Sequence, residues 1–183
     1  MILFINACVR EESRTRRLAE KILSKFEEPI TELKLTDCSF PVADEAFLHF
    51  RDSRIKAEDY SDPLFDMAKQ FAAADEIVIA APYWDLSFPA ALKQYIEQIN
   101  VLGVTFLYTP EGYPKGLCRA KRLHYVTTAG GSFVPWEYGY EYIRALAQNF
   151  YGIPETVLIK AEGLDIIGAD PEKILEMSEG RSF

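Results

Sequence analysis

The chain is short of the residues that build reactive sites by themselves. It has two histidines, and neither His49 nor His124 stands at metal-ligand spacing from a cysteine, a histidine or a carboxylate, so no metal centre is expected. Its three cysteines, Cys8, Cys38 and Cys118, are odd in number and form no CxxC pair. That excludes a zinc ribbon or a disulfide framework and implies a reducing, cytoplasmic compartment. There is no GxGxxG, no Walker lysine motif and no GxSxG elbow, which disfavours a Rossmann dinucleotide, ATP and a serine hydrolase. No apolar run approaches the roughly 18 residues of a membrane span. The opening MILFINACVREE lacks the basic region of a signal peptide. Positive charge is scarce as well. Twenty Lys and Arg face 28 Asp and Glu, a net charge of -8 that argues against nucleic acid or an anionic membrane as the partner. A small anionic ligand is still allowed, because a nest of backbone N–H groups binds phosphate on an acidic protein.

What is present reads as one globular domain over residues 1–183, enough to bury about two-thirds of its unfolded surface. Met1 to Asn6 is an apolar run suited to a buried parallel strand. Ser13 can cap a following helix in which Leu18, Ala19, Ile22, Leu23 and Phe26 recur at helical spacing. ITELKL alternates like an edge strand. Residues 37–63 predict a long connection with a short helix near 45–51, and LFDMAKQFAAAD a helix. EIVIAAP is the most strand-like segment, followed by a helix from about Pro89 to Val101. GVTFLYTPEGYPKG, rich in Gly, Pro and Tyr, predicts a surface loop over 103–116. KRLHYVTT is a strand, 137–150 a helix, ETVLIKAEG the last strand, and DPEKILEMS starts a last helix. Strands alternating with helices imply a parallel sheet covered on both faces. Such sheets bind ligands beyond the C-terminal strand ends. Three loops stand there: 6–15, 82–89 and 127–133.

Each loop admits two uses. NACVREESRT places Cys8 and Arg14 at the spacing of a cysteine-dependent phosphatase, yet Ser13, Thr15 and Arg10 or Arg14 at a helix N-terminus also make a phosphate handle. Glu11 and Glu12 inside the loop would repel a phosphate dianion, and the loop has no glycine with which to wrap one. In APYWDLSFPAALKQY, Tyr83 and Trp84 suit a flat ligand or packing against the long connection. TTAGGSF permits close backbone approach or a plain turn. With so few acid–base groups, a cofactor is expected to carry the chemistry.

Taken together, FAAADEIVIAAPYWDLSFPAALKQYIEQINVLGVTFLYTPEGYPKGL, KRLHYVTTAGGSF and AEGLDIIG resemble the flavodoxin-like NAD(P)H dehydrogenase (quinone) family, and within it the FMN-dependent NADH azoreductases. The resemblance runs from FINA to the last helix. It implies a three-layer α/β sandwich with a five-stranded parallel sheet in order 2-1-3-4-5, a homodimer, and one FMN per subunit near the dimer interface. By position, Arg10, Ser13 and Thr15 would hold the FMN phosphate. Pro82, Tyr83, Trp84, Asp85 and Leu86 would wrap the isoalloxazine, and Thr128, Ala129, Gly130, Gly131 and Phe133 would line its other edge. Phe106 and Tyr108 would approach the substrate side, often from the partner subunit. Two positions depart from the family: Cys8 stands where a serine is usual, and Asp85 where many azoreductases have asparagine. The implied activity is ping-pong transfer of reducing equivalents from NAD(P)H to a quinone or azo compound. Two other classes stay in view: a flavodoxin-type electron carrier, which the acidic charge suits, and a low-molecular-weight phosphatase using Cys8 and Arg14.

Overall fold

The computed structural model describes residues 1–179, so the last four residues of the domain expected over 1–183 lie outside the described ones. Among the described residues seven strands form: β1 (Ile2–Asn6), β2 (Ile30–Lys34), β3 (Glu76–Ala80), β4 (Phe106–Tyr108), β5 (Pro114–Gly116), β6 (Arg122–Thr128) and β7 (Glu155–Ala161). The helices are α1 (Arg14–Leu23), α2 (Glu45–Lys56), α3 (Asp66–Ala73), α4 (Ala90–Ile99), α5 (Tyr140–Leu146) and α6 (Pro171–Glu179). Five strands pair in parallel in the order β2-β1-β3-β6-β7, which is the expected 2-1-3-4-5 once β4 and β5 are set aside.

Burial explains which strands lie at the centre. β1 is buried along its whole length, and so are all but the end residues of β3 and β6, as a sheet covered on both faces demands. β2 alternates exposed and half-buried, the pattern of an edge. Successive side chains point to opposite faces. Leu3, Ile5, Ile77, Ile79, Leu123 and Tyr125 therefore pack with α3, α4 and α5, while Ile2, Phe4, Val78, Ala80 and Val126 pack with α1 and α6.

Three boundaries differ from expectation. Residues 103–116 are not only a loop: β4 and β5 pair antiparallel within them, and Phe106 is buried against Phe150. α2 runs twelve residues, not the seven of 45–51; Asp44 caps it, its side chain accepting from Phe47 N–H at 2.8 Å. The segment expected as a helix over 137–150 begins with a 3₁₀ turn at Trp136–Tyr138, becomes α-helical at Tyr140, and widens to a π-turn at Ala147–Tyr151. Gly152, at φ 74°, ends it in the left-handed region.

Charge gathers at the N-terminal ends of the strands. The Met1 amino group binds Asp75 at 2.5 Å, Asp75 also meets Arg119 at 2.6 Å, and Arg122 meets Glu155 at 2.9 Å. His124 is fully buried and pairs with Glu76 at 3.0 Å. Burial pushes the imidazole below its ordinary value, against the opposite pull of Glu76; Arg122 and Glu155 act more weakly. An unfolded histidine takes up its proton near pH 6.5. The folded one resists until lower pH, so between the two values the unfolded state binds more protons and stability is lost as pH falls. The thermal midpoint should therefore drop as pH is lowered below about 6.5. His124→Gln should flatten that step in a calorimetric pH series; an identical slope in the variant would count against this assignment.

Candidate functional site

The strand order reverses between β1 and β3, and a polar cleft of about 380 Å³ opens at their C-terminal ends. Its volume lies in the range of small-ligand sites. All three loops contribute. Arg10, Ser13, Arg14 and Thr15 come from the first, Pro82, Tyr83 and Trp84 from the second, and Thr128, Ala129 and Gly130 from the third. Val9 and Glu12 also line it.

The first loop is shaped from beneath by Asn6. Its side-chain oxygen accepts from Cys8 N–H at 2.9 Å while its amide nitrogen donates to Glu32 at 2.8 Å. Ser13 then caps α1, accepting from Arg16 N–H at 3.3 Å, which leaves its own hydroxyl proton to donate elsewhere. The first turn of α1 carries no acid, although the helix dipole favours one there. Instead it holds Arg14, Arg16 and Arg17. Arg16 is taken by Glu20 and Arg17 by Glu172, both outside the cleft lining. Exposed Arg10 has no carboxylate within ion-pair distance among the described residues. The helix start keeps its positive dipole end and its first backbone donors open to an anion.

Thr15 and Thr128 join the first and third loops through their hydroxyls, 2.7 Å apart. The pair has two protons and spends one on itself, so one remains for a ligand. Tyr83 N–H donates to Thr128 O at 3.1 Å, which fixes the second loop against the third. The Tyr83 ring lies 6.1 Å from that of Trp136, which in turn carries the Lys160 ammonium 4.6 Å above its face. The Tyr83 hydroxyl is buried without a hydrogen-bond partner among the described residues, an orphaned polar atom beside a cleft.

Trp84 and Ser87 close a two-residue turn, with Ser87 N–H donating to Trp84 O at 2.7 Å and Trp84 N–H to Ser87 O at 3.1 Å. Both central residues take positive φ, Asp85 at 51° and Leu86 at 67°. A type I′ turn wants Asn-Gly at such positions; leucine there costs about 1–2 kcal/mol. Strain of this kind is kept where a site needs the backbone held in place. Leu86→Gly should therefore raise stability by about 1 kcal/mol, a rise of roughly 2–4 °C in midpoint. A lower midpoint on differential scanning calorimetry would show that the exposed leucine packs usefully.

Several expected residues do not line the cleft: Asp85, Leu86, Gly131, Phe133, Phe106 and Tyr108. Phe133 is 81% exposed. Phe106 is committed to its own core, so of the hairpin pair only Tyr108, 54% exposed, is free to reach another molecule. The phosphatase spacing is explained away by burial. Cys8 is 2% exposed with its thiol toward Ala80 O at 3.8 Å, and burial pushes its pKa to about 11, so almost no thiolate forms at neutral pH.

A fourth segment was missed. Leu164 and Asp165, following β7 in AEGLDIIG, line the cleft too. They lie at a C-terminal strand end, and the rule that selected the other three loops applies to them equally.

A doubly wound sheet of this order with a polar cleft at the switch point is the architecture of a mononucleotide-binding flavodoxin-type protein. The chain belongs to the flavodoxin-like fold family, which it matches over residues 1–180. It is similar to the FMN-dependent NADH:quinone oxidoreductase of Clostridium beijerinckii, 35% identical over 184 residues, covering 96% of this chain and 92% of that one. FMN-dependent NADH:quinone oxidoreductase 2 of Clostridium acetobutylicum is 37% identical over 188 residues, covering 95% and 92%. Among solved structures, the FMN-dependent NADH-azoreductase from Bacillus anthracis in complex with FMN shares the fold at a TM-score of 0.81, with 24% identity over 98% of this chain and 94% of that one.

Proposed function

We propose that this protein is an FMN-dependent NAD(P)H oxidoreductase that reduces quinones, azo compounds or similar aromatic acceptors. The observation that carries it is the cleft at the start of α1, where a helix without a first-turn acid meets the hydroxyls of Ser13, Thr15 and Thr128 beside two aromatic residues. These residues fit a phosphorylated planar cofactor, and relatives named for FMN and NADH support the same reading.

Bound FMN would supply the chemistry of accepting and passing on hydride. The chain's own residues do the holding. Ser13, Thr15 and the first N–H groups of α1 hold the phosphate, with Arg10 adding charge. Pro82, Tyr83 and Trp84 flank the ring, and the strained turn at Asp85 and Leu86 offers its backbone donors to it. Thr128, Ala129, Gly130 and Gly131 line the other edge, where the Thr128 hydroxyl and the glycine N–H groups polarise the charge that develops on reduction. Phe133 borders that edge from the rim. Tyr108, with Phe106 packed behind it, faces the acceptor from a partner subunit. The active form is a homodimer of about twice 20.8 kDa in the cytoplasm. Exposed Leu102, Tyr108, Phe133 and Tyr138 give such an interface its apolar surface.

Purified or FMN-reconstituted protein should show two visible flavin bands that bleach on adding NADH or NADPH. A protein that takes up no flavin would overturn the reading. The acidic charge, -8, also suits an electron carrier docking on a protein partner. Rapid NAD(P)H oxidation without a separate reductase separates the two. Cys8→Ser should leave turnover within about twofold of the parent, since the thiol is buried and protonated. It should not change hydrolysis of an aryl phosphate from its background level; loss of a real phosphatase activity in that variant would revive the nucleophile.

A further inference from the structure

The ion pair between Arg14 and Asp165 crosses the cleft wall, joining the first residue of α1 to the segment after β7, with Nη1 and Oδ1 2.7 Å apart. As a source of stability it is weak, because the Asp165 side chain is 66% exposed and surface pairs contribute little. Yet its position is built with care. Gly163 N–H donates to Gly131 O at 2.9 Å, Leu164 N–H to Ala129 O at 3.2 Å, and Asp165 N–H to Gly130 O at 2.9 Å. Gly163 takes φ +74° to start this run. A Cβ on Gly130 would stand 2.2 Å from Asp165 Oδ2, so Gly130 makes room for a carboxylate of its own chain. Gly131, by contrast, has nothing within 4 Å of where its Cβ would be.

The charge balance gives this placement a meaning. The cleft lining holds two guanidinium groups, Arg10 and Arg14, and two carboxylates, Glu12 and Asp165. Formal charges cancel in a site read as taking a phosphate dianion. Asp165 occupies the one lining arginine that belongs to the helix start itself.

We propose that Asp165 is an internal competitor for Arg14, a positioning residue that holds the guanidinium at the cleft wall and weakens the protein's grip on the cofactor's phosphate. This rests on the phosphate reading above. Asp165 would then set cofactor affinity below what the helix start, the hydroxyls and two arginines could reach together. It would act on the phosphate end alone, leaving contacts with the ring unchanged.

The test compares FMN with riboflavin, which has the same ring and no phosphate, by quenching of flavin fluorescence. Asp165→Asn keeps the shape beside Gly130 and removes the charge. It should tighten FMN by about tenfold at low salt, an advantage that shrinks as ionic strength rises. Riboflavin binding should stay within about twofold, and Arg14→Met added to Asp165→Asn should remove most of the gain, as coupled sites require. Unchanged or weaker FMN binding in Asp165→Asn, an equal gain for riboflavin, or a gain that survives Arg14→Met would overturn the inference. If the parent binds FMN no more tightly than riboflavin, the phosphate reading itself fails, and the inference with it.

Discussion

Ser13→Ala should weaken FMN binding by one to two orders of magnitude, the largest loss expected from a single small substitution in the cleft. A hydroxyl donating to an anion is worth about 1.5–3 kcal/mol. The same oxygen caps α1 by accepting from Arg16 N–H, so the fold loses about 1 kcal/mol besides. The two losses can be told apart, because an asparagine at this position restores the cap without restoring the hydroxyl. Ser13→Asn should recover the thermal midpoint and leave FMN weakly bound in equilibrium dialysis. If the affinity returned with the midpoint, Ser13 would be a helix cap and nothing more.

Gly116→Ala should cost about 3 kcal/mol, at the upper end of what overpacking does, and lower the midpoint by roughly 6–12 °C. β5 lies directly on the chain at the end of the π-turn. An added Cβ would fall 2.1 Å from both Gly152 N and Tyr151 C, backbone atoms that cannot rotate away. Cys118 N–H also donates to Tyr151 O at 3.2 Å, which fastens the chain after the hairpin to the turn close to the contact. Gly112→Ala is the companion measurement. That glycine has φ +85° with nothing within 4 Å, so its replacement should cost only the backbone penalty of about 1 kcal/mol. Equal losses on thermal unfolding would mean that conformation, not contact, governs both sites. A hairpin that detached in Gly116→Ala would also displace Tyr108, and acceptor reduction should fall further than NAD(P)H binding.

The central sheet could be read from the chain because burial on both faces favours apolar residues: MILFIN, EIVIAAP and the alternating KRLHYVTT declare themselves. β4 and β5 could not. Each is three residues long, β5 begins with Pro114, and the Gly-Pro-Tyr composition that marks a loop serves equally well for a short hairpin packed on Phe150. The full length of α2 is hidden in the sequence for a related reason. None of its residues is buried, so no apolar stripe marks its length. At the site, three of the four contributing loops were legible from their place after strands. Asp165 was not, since a single aspartate in DIIG has no local signature; its role depends on Gly130, 35 residues away, and on Arg14 at the other end of the chain. The adjacent glycines were legible as a close approach, but in one of them the approaching group is the protein's own carboxylate. The Cys8 and Arg14 spacing carried two meanings that only burial could separate.

The gathering of charge at the N-terminal strand ends has a consequence for engineering. From His124 to Thr128 the strand rises four residues, roughly 13 Å, beyond the range over which substitutions usually interfere with one another. The sheet thus acts as a thermodynamic insulator between two poles. One pole, with Glu76, His124, Arg122 and Glu155, is where the expected acid sensitivity lies. The other, with its hydroxyls and aromatic rings, is the pole proposed to bind the cofactor. Changes that harden the first should add to changes that retune the second, so acid resistance and cofactor grip can be selected separately in the same molecule.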